Sequence, residues 1–186
     1  MRSFIFSLAA AVALAGCGPL NPLFAGGPYK GKVIDAETKK PIVGAVVLVY
    51  WQRLAPGIGH GPAEGFLDAE EVLTDSNGEF MVGTNSPASL IPGTWVSDPT
   101  ITIFYPGYGH FPHFHTSPPR PPTGWKGLLQ MMEQQRVIIE LPKLKTREDY
   151  RKACTFLSHT AIPNEKKPNL LRMLRQGGDP CEKAFR

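Results

Sequence analysis

Charge is sparse in this chain. Charged residues make up 19% of it and the formal net charge is +4. Outside the C-terminal tail the basic residues form no dense stripe interleaved with aromatics, which argues against a nucleic-acid partner. No Ser-His-Asp arrangement, phosphate loop or zinc-peptidase helix motif is present, so the common hydrolytic and nucleotide-dependent chemistries lack their residues. No internal repeat is visible. The main apolar run, Phe4 to Ala15, is too short to span a bilayer. Cysteine is limited to Cys17, Cys154 and Cys181.

Glycine and proline, by contrast, are plentiful at 19 each, which points to many turns and not to a helical bundle. The chain is organised around the stretch from Gly31 to Trp51. Val33 and Ile34 close a first strand, and Ala36 to Lys40 form a polar turn that Pro41 keeps from becoming helix. From Ile42 to Trp51 the residues are β-branched or aromatic at most positions, which suits a strand. Ala45, Val47, Val49 and Trp51 fall on one face, and Val46, Leu48 and Tyr50 on the other. A strand apolar on both faces is central and covered twice. The sequence therefore predicts a second sheet on one side and separate cover on the other.

Three motifs carry a resemblance: "GKVIDAETKKPIVGAVVLVY" from Gly31, "VLTDSNGEFMV" from Val72 and "ITIFYPGY" from Ile101. In this order they resemble the carboxypeptidase regulatory-like domains, with the first as an opening hairpin. The resemblance covers roughly Tyr29 to Leu141. It implies a mainly β, transthyretin-like (prealbumin-like) Greek-key β-sandwich, here with a short α-helical C-terminal extension. It also implies an accessory, non-catalytic binding or structural module, since one fold hosts many functions. Two enzyme types with related folds are not matched. The tail ends Cys181 to Arg186 without the Tyr-Arg-Gly-Ser of hydroxyisourate hydrolases. The positions counted back from Pro106-Gly107-Tyr108 for the iron-binding histidines of intradiol dioxygenases hold Asp98 and Thr100.

Ahead of the domain, Arg2 and the apolar run are followed by Leu14-Ala15-Gly16-Cys17, which resembles a bacterial lipobox. Residues 1–16 then read as a signal peptide, Cys17 as the acylated residue, and 17–28 as a tether. The resemblance implies a palmitate-type anchor. Gly18 in place of Asp implies an outer-membrane protein facing the periplasm, with the membrane as one partner and an unknown protein or small ligand as another.

The domain is expected over 29–144, with further strands at Ala69–Thr74, Phe80–Val82, Ile101–Tyr105 and Arg136–Leu141. Asp75 to Glu79 reads as a hairpin turn, and its acidic residues lack the spacing of a calcium loop. In the extension, 145–186, Thr146 to Asp149 has the form of a capping box. Tyr150, Ala153, Cys154 and Leu157 follow on one helical face, and Leu170, Leu171, Met173 and Leu174 predict a second helix ending at Gly177. These helices are candidates to cover the outer face of the central strand. With Cys17 acylated, Cys154 and Cys181 remain to pair in an oxidising compartment.

The candidate site is the segment from Gly109 to Lys126, read as a projecting loop, extended around its prolines. If the segment is extended, His113 and His115 fall on one face, and with His110 they are candidate ligands for Cu(II), Zn or Ni, which gives the main alternative function, a periplasmic metal-binding protein or an enzyme using this loop. The opposing reading is solvated imidazoles beside packed Phe and Pro residues. Alternatively, Tyr108, Phe111, Phe114, Arg120 and Trp125 form an aromatic, weakly basic contact surface.

Overall fold

The computed structural model describes residues 26–57, 63–84, 87–118, 123–155 and 162–185. The sequence reading of Cys17, of the tether up to Ala25, of Arg120 and of Leu157 falls outside them. Two sheets face each other. The first has the order β4-β1-β7, formed by Glu79–Val82, Tyr29–Asp35 and Val137–Leu141. β4 lies antiparallel to β1, whereas β7 runs parallel to it, with Gly31 opposite Val137 and Asp35 opposite Leu141. The second sheet is built on β2 (Val46–Ala55). β3 (Ala63–Leu73) lies along one edge of it, while β5 (Trp95–Val96) and β6 (Thr100–Phe104) share the other.

The alternation in β2 explains this layering. Val47, Val49 and Trp51 point between the sheets and meet Val33, Phe80, Val82, Ile101, Ile139 and Leu141. Val46 and Leu48 point outward and pack with Ala69, Phe104, Ile162 and Leu170. Trp51 is fully buried, so truncating it to Ala should cost about 3–5 kcal/mol. Helix α1 (Gly124–Gln134) closes one side of the sandwich with Leu128, Leu129 and Met132.

The opening motif is not a hairpin. β1 and β2 belong to different sheets, and the residues between them cross from one sheet to the other. Both edges of β1 are already occupied, by β4 and β7. The crossing is braced by the Ile42 N–H, which donates to the Val33 carbonyl at 3.0 Å, and by a bridge between Ile34 and Pro41. The Asp75–Gly78 turn likewise joins the two sheets instead of pairing β3 with β4. Asp75 Oδ1 accepts the N–H groups of Asn77 and Glu79, each at 2.8 Å, which accounts for the acidic residue there without a cation.

The extension comprises α2 (Arg147–Thr155), a 3-10 turn (Asn164–Lys166), α3 (Pro168–Met173), a wide turn (Leu174–Gly178) and α4 (Pro180–Phe185). The capping box forms as read. The Thr146 hydroxyl accepts the Asp149 N–H at 3.1 Å, and the Asp149 carboxylate accepts the Thr146 N–H at 2.9 Å. Of the two expected helices, α3 supplies the outer cover through Leu170 and Met173. α2 packs instead on α4, and Cys154 and Cys181 lie at bonding distance, with an S–S separation of 2.06 Å. α3 is tied to the sheet by Glu71 of β3, whose two carboxylate oxygens accept the N–H groups of Asn169 and Leu170, each at 2.8 Å.

Candidate functional site

The segment after β6 does not project. It is strapped between β6 and β7. Ile103 and Phe111 exchange backbone hydrogen bonds at 3.2 and 3.1 Å, the Gly109 N–H reaches the Pro142 carbonyl at 2.8 Å, and the Glu140 N–H reaches the Ser117 carbonyl at 2.9 Å. Between these straps the chain turns, with the Phe114 N–H donating to the His110 carbonyl at 2.7 Å. Gly109 is required here, because a Cβ on it would stand 2.3 Å from the Phe114 carbonyl oxygen.

The turn gives the three histidines different settings, with the rings of His110 and His113 6.0 Å apart. His110 is buried at 1% exposure, His113 is exposed, and His115 is half-buried with its ring 4.9 Å from that of Phe111. Among the described residues no three His, Cys, Asp or Glu side chains are grouped as metal ligands. His113 and His115 are thus not joined by His110 in such a group: His110 lies three positions before His113, off the alternation that pairs the other two, and it is buried. Phe111 is corrected as well. It is wholly buried and belongs to the core, not to a contact surface.

His113 and His115 nonetheless face a common space. With Thr100, Pro112, Pro118 and Trp125 they line a cleft of about 430 Å³, floored by Leu128. Trp125 is held by its indole N–H, which donates to the Pro99 carbonyl at 2.8 Å, and by its ring, 5.9 Å from that of Phe111. Burial pushes the His115 imidazole below its usual range, against an opposing hydrogen bond that the ring donates to the Pro112 carbonyl and with the neighbouring His113 adding to the depression. The walls are thus mainly apolar, with the His113 and His115 imidazoles as polar groups among them. This is the ordinary make-up of a small-ligand pocket. Phe114 is half-buried beside it, at the turn.

Tyr108 lies elsewhere. Its hydroxyl donates to Asp35 Oδ2 at 2.9 Å, while the N–H groups of Glu37 and Thr38 donate to Asp35 Oδ1 at 2.8 and 2.9 Å. Lys143 Nζ adds an ion pair at 3.3 Å. The Thr38 N–H above all, together with these other partners, holds Asp35 far below the usual carboxylate range. Burial first, then the bond to Asp35, pushes Tyr108 up to about 12. A carboxylate this fully engaged is a poor general base, and the cluster reads as a structural clasp.

The sequence reading named His113, His115 and Trp125 but missed Thr100, Pro112, Pro118 and Leu128. Part of the signal was there, since Trp125, Leu128, Leu129 and Met132 have the i, i+3, i+4, i+7 spacing of a helix face. No protein-family model, curated protein or solved structure matches the chain.

Proposed function

We propose that this chain is a lipid-anchored protein of the bacterial envelope whose transthyretin-like sandwich is a non-catalytic binding module, with the cleft of His113, His115 and Trp125 as its binding site. The observation that carries the reading is the cleft itself. Its wall residues are fixed by backbone straps on one side and a helix on the other, so the site is preformed. The shape and lining favour a small ligand with an aromatic or aliphatic body and a group that hydrogen-bonds to a neutral imidazole. The anchor rests on the lipobox-like Leu14-Ala15-Gly16-Cys17 after an apolar run. The β-sandwich architecture is the one the resemblance implies.

The test is a screen of aromatic and aliphatic acids and amides against the isotope-labelled protein by NMR. Shifts clustered on Thr100, His115, Trp125 and Leu128, and abolished by Trp125→Ala in a folded variant, support the site. A ligand whose shifts map to another face places the function elsewhere. Turnover of any bound compound, at rates on the order of 1 s⁻¹ or more, contradicts the non-catalytic reading.

A further inference from the structure

The loop between β4 and β5 leaves and returns at one end of the sandwich. A side-chain carbon on Gly27 would come within 2.6 Å of the carbonyl oxygen of Gly83, the residue that follows β4. At the far end of the loop, Val96 and Ser97 share a cleft of about 270 Å³ with Gly26 and Tyr29. Both ends of the loop therefore stand where the chain enters β1.

The loop carries a braced tip. The Thr94 N–H and hydroxyl both donate to the Ile91 carbonyl, at 3.2 and 2.8 Å. Pro92 followed by Gly93 at φ +77° fits a type II turn, which needs glycine at that position. Such tips normally carry polar side chains. Here Leu90 is 89% exposed and Ile91 is 50% exposed. Leu90 is the most exposed large apolar side chain among the described residues, and it adds nothing to the core.

We propose that Leu90 and Ile91 insert into a lipid surface as a second contact beside the acylated N-terminus. The inference rests on the lipid anchor of the preceding section. From Cys17, the residues Gly18 to Gly26 can span at most about 32 Å even when fully stretched. The anchor thus keeps this end of the sandwich, and the tip with it, near the headgroups. A protein partner fits less well. A stable protein interface takes about 800 Å² from each side, and the tip offers two apolar side chains flanked by the buried Ser89 and the small Gly93. With acyl chains holding the protein to the membrane, the tip acts on orientation: it fixes which face of the sandwich looks away from the bilayer.

The experiment uses the full chain, purified from membranes and reconstituted into vesicles of phosphatidylethanolamine and phosphatidylglycerol with brominated or ordinary acyl chains. Leu90→Trp is compared with Val43→Trp, which lies at the opposite end near the Ile42–Val33 bond and is 52% exposed in the parent. Each spectrum is read as the difference from the parent protein. The expected result is a blue-shifted emission at position 90 that brominated lipid quenches, and a water-like, unquenched emission at position 43. Equal, unquenched emission at both positions on vesicle-bound protein overturns the proposal. Mass spectrometry of Cys17 on the same sample keeps the anchor separate. Quenching at position 90 without acylation upholds the tip and refutes the anchor. Protein that is unacylated and stays off the vesicles refutes both.

Discussion

Tyr108 and Asp35, 73 positions apart, are joined by a 2.9 Å hydrogen bond that links the turn after β6 to the end of β1. Removing it with Tyr108→Phe should cost about 0.5–1.5 kcal/mol, the usual net value of such a bond. Asp35→Asn disturbs more partners and should cost about 1–3 kcal/mol. The sign of the pH dependence follows from the lowered Asp35 pKa. The stabilisation is fully present above the unfolded carboxylate value near 3.9 and is lost as pH falls below it toward the folded value. Denaturant melts from pH 7 to pH 2 should show the gap between parent and Asp35→Asn closing in that acid window. A gap that stays constant across it would refute this account.

His115 should contribute a milder acid sensitivity. Its pKa is lowered by burial, so the folded state resists charging it. Stability is complete above the unfolded value near 6.5 and declines as pH drops through the folded value. His115→Gln should flatten that part of the stability profile below about pH 6.5, and NMR titration of the ring should place its midpoint below that value. A midpoint at or above that value argues against burial as the cause.

The Cys154–Cys181 link closes a separation of 27 residues. In the chain-entropy model this is worth roughly 3–4 kcal/mol. Cys154→Ser with Cys181→Ser should release α2 and α4 first, seen as hydrogen exchange that rises there while β1, β2 and β7 stay protected. Thiol counting on denatured, unreduced protein provides the direct check, since two reactive thiols at these positions mean no bridge.

Glu71 holds α3 by accepting two helix N–H groups, both at 2.8 Å. Glu71→Ala should cost about 1–2 kcal/mol, as loss of a charged N-terminal cap does. The loss should be local, with fast exchange in α3 and new exposure of Val46 and Leu48 to a hydrophobic dye. Unchanged exchange in α3 would show that apolar packing alone seats the helix.

At the N-terminus, mass spectrometry of the mature protein should find Cys17 acylated, and Cys17→Ser should move the protein out of the membrane fraction. Cleavage at another position with a free Cys17 thiol rules out the anchor.

What could be read from the sequence were the features set by local periodicity. The two faces of β2 and the inward Val137, Ile139 and Leu141 came from alternation, and the α2 cap came from Thr146 and Asp149 at their proper spacing. What could not be read was pairing between distant segments. Nothing near Val33 announces that its neighbour is Ile139, because that partnership is decided only when the sandwich closes. The hairpin expected between β1 and β2 failed for the same reason. In the site, alternation put His113 and His115 on one face, and both line the cleft, but the burial of His110 and the turn closed by the Phe114 to His110 bond could not be read from it. The cleft itself needs β6 and α1 brought together by the Trp125 to Pro99 bond, a contact across 26 positions that no local pattern encodes.

The parallel pairing of β1 with β7 imposes an order of events on a chain delivered from its N-terminus. β1 can dock on β4 once Val82 has emerged, but its other edge stays bare until Leu141 arrives. For that interval the strand presents unsatisfied N–H and C=O groups to any neighbour, a template for wrong pairing. Closing so long a loop is also intrinsically slow. A polypeptide halted just before Val137 should therefore be a client of holding chaperones, whereas one extended past Leu141 should let them go.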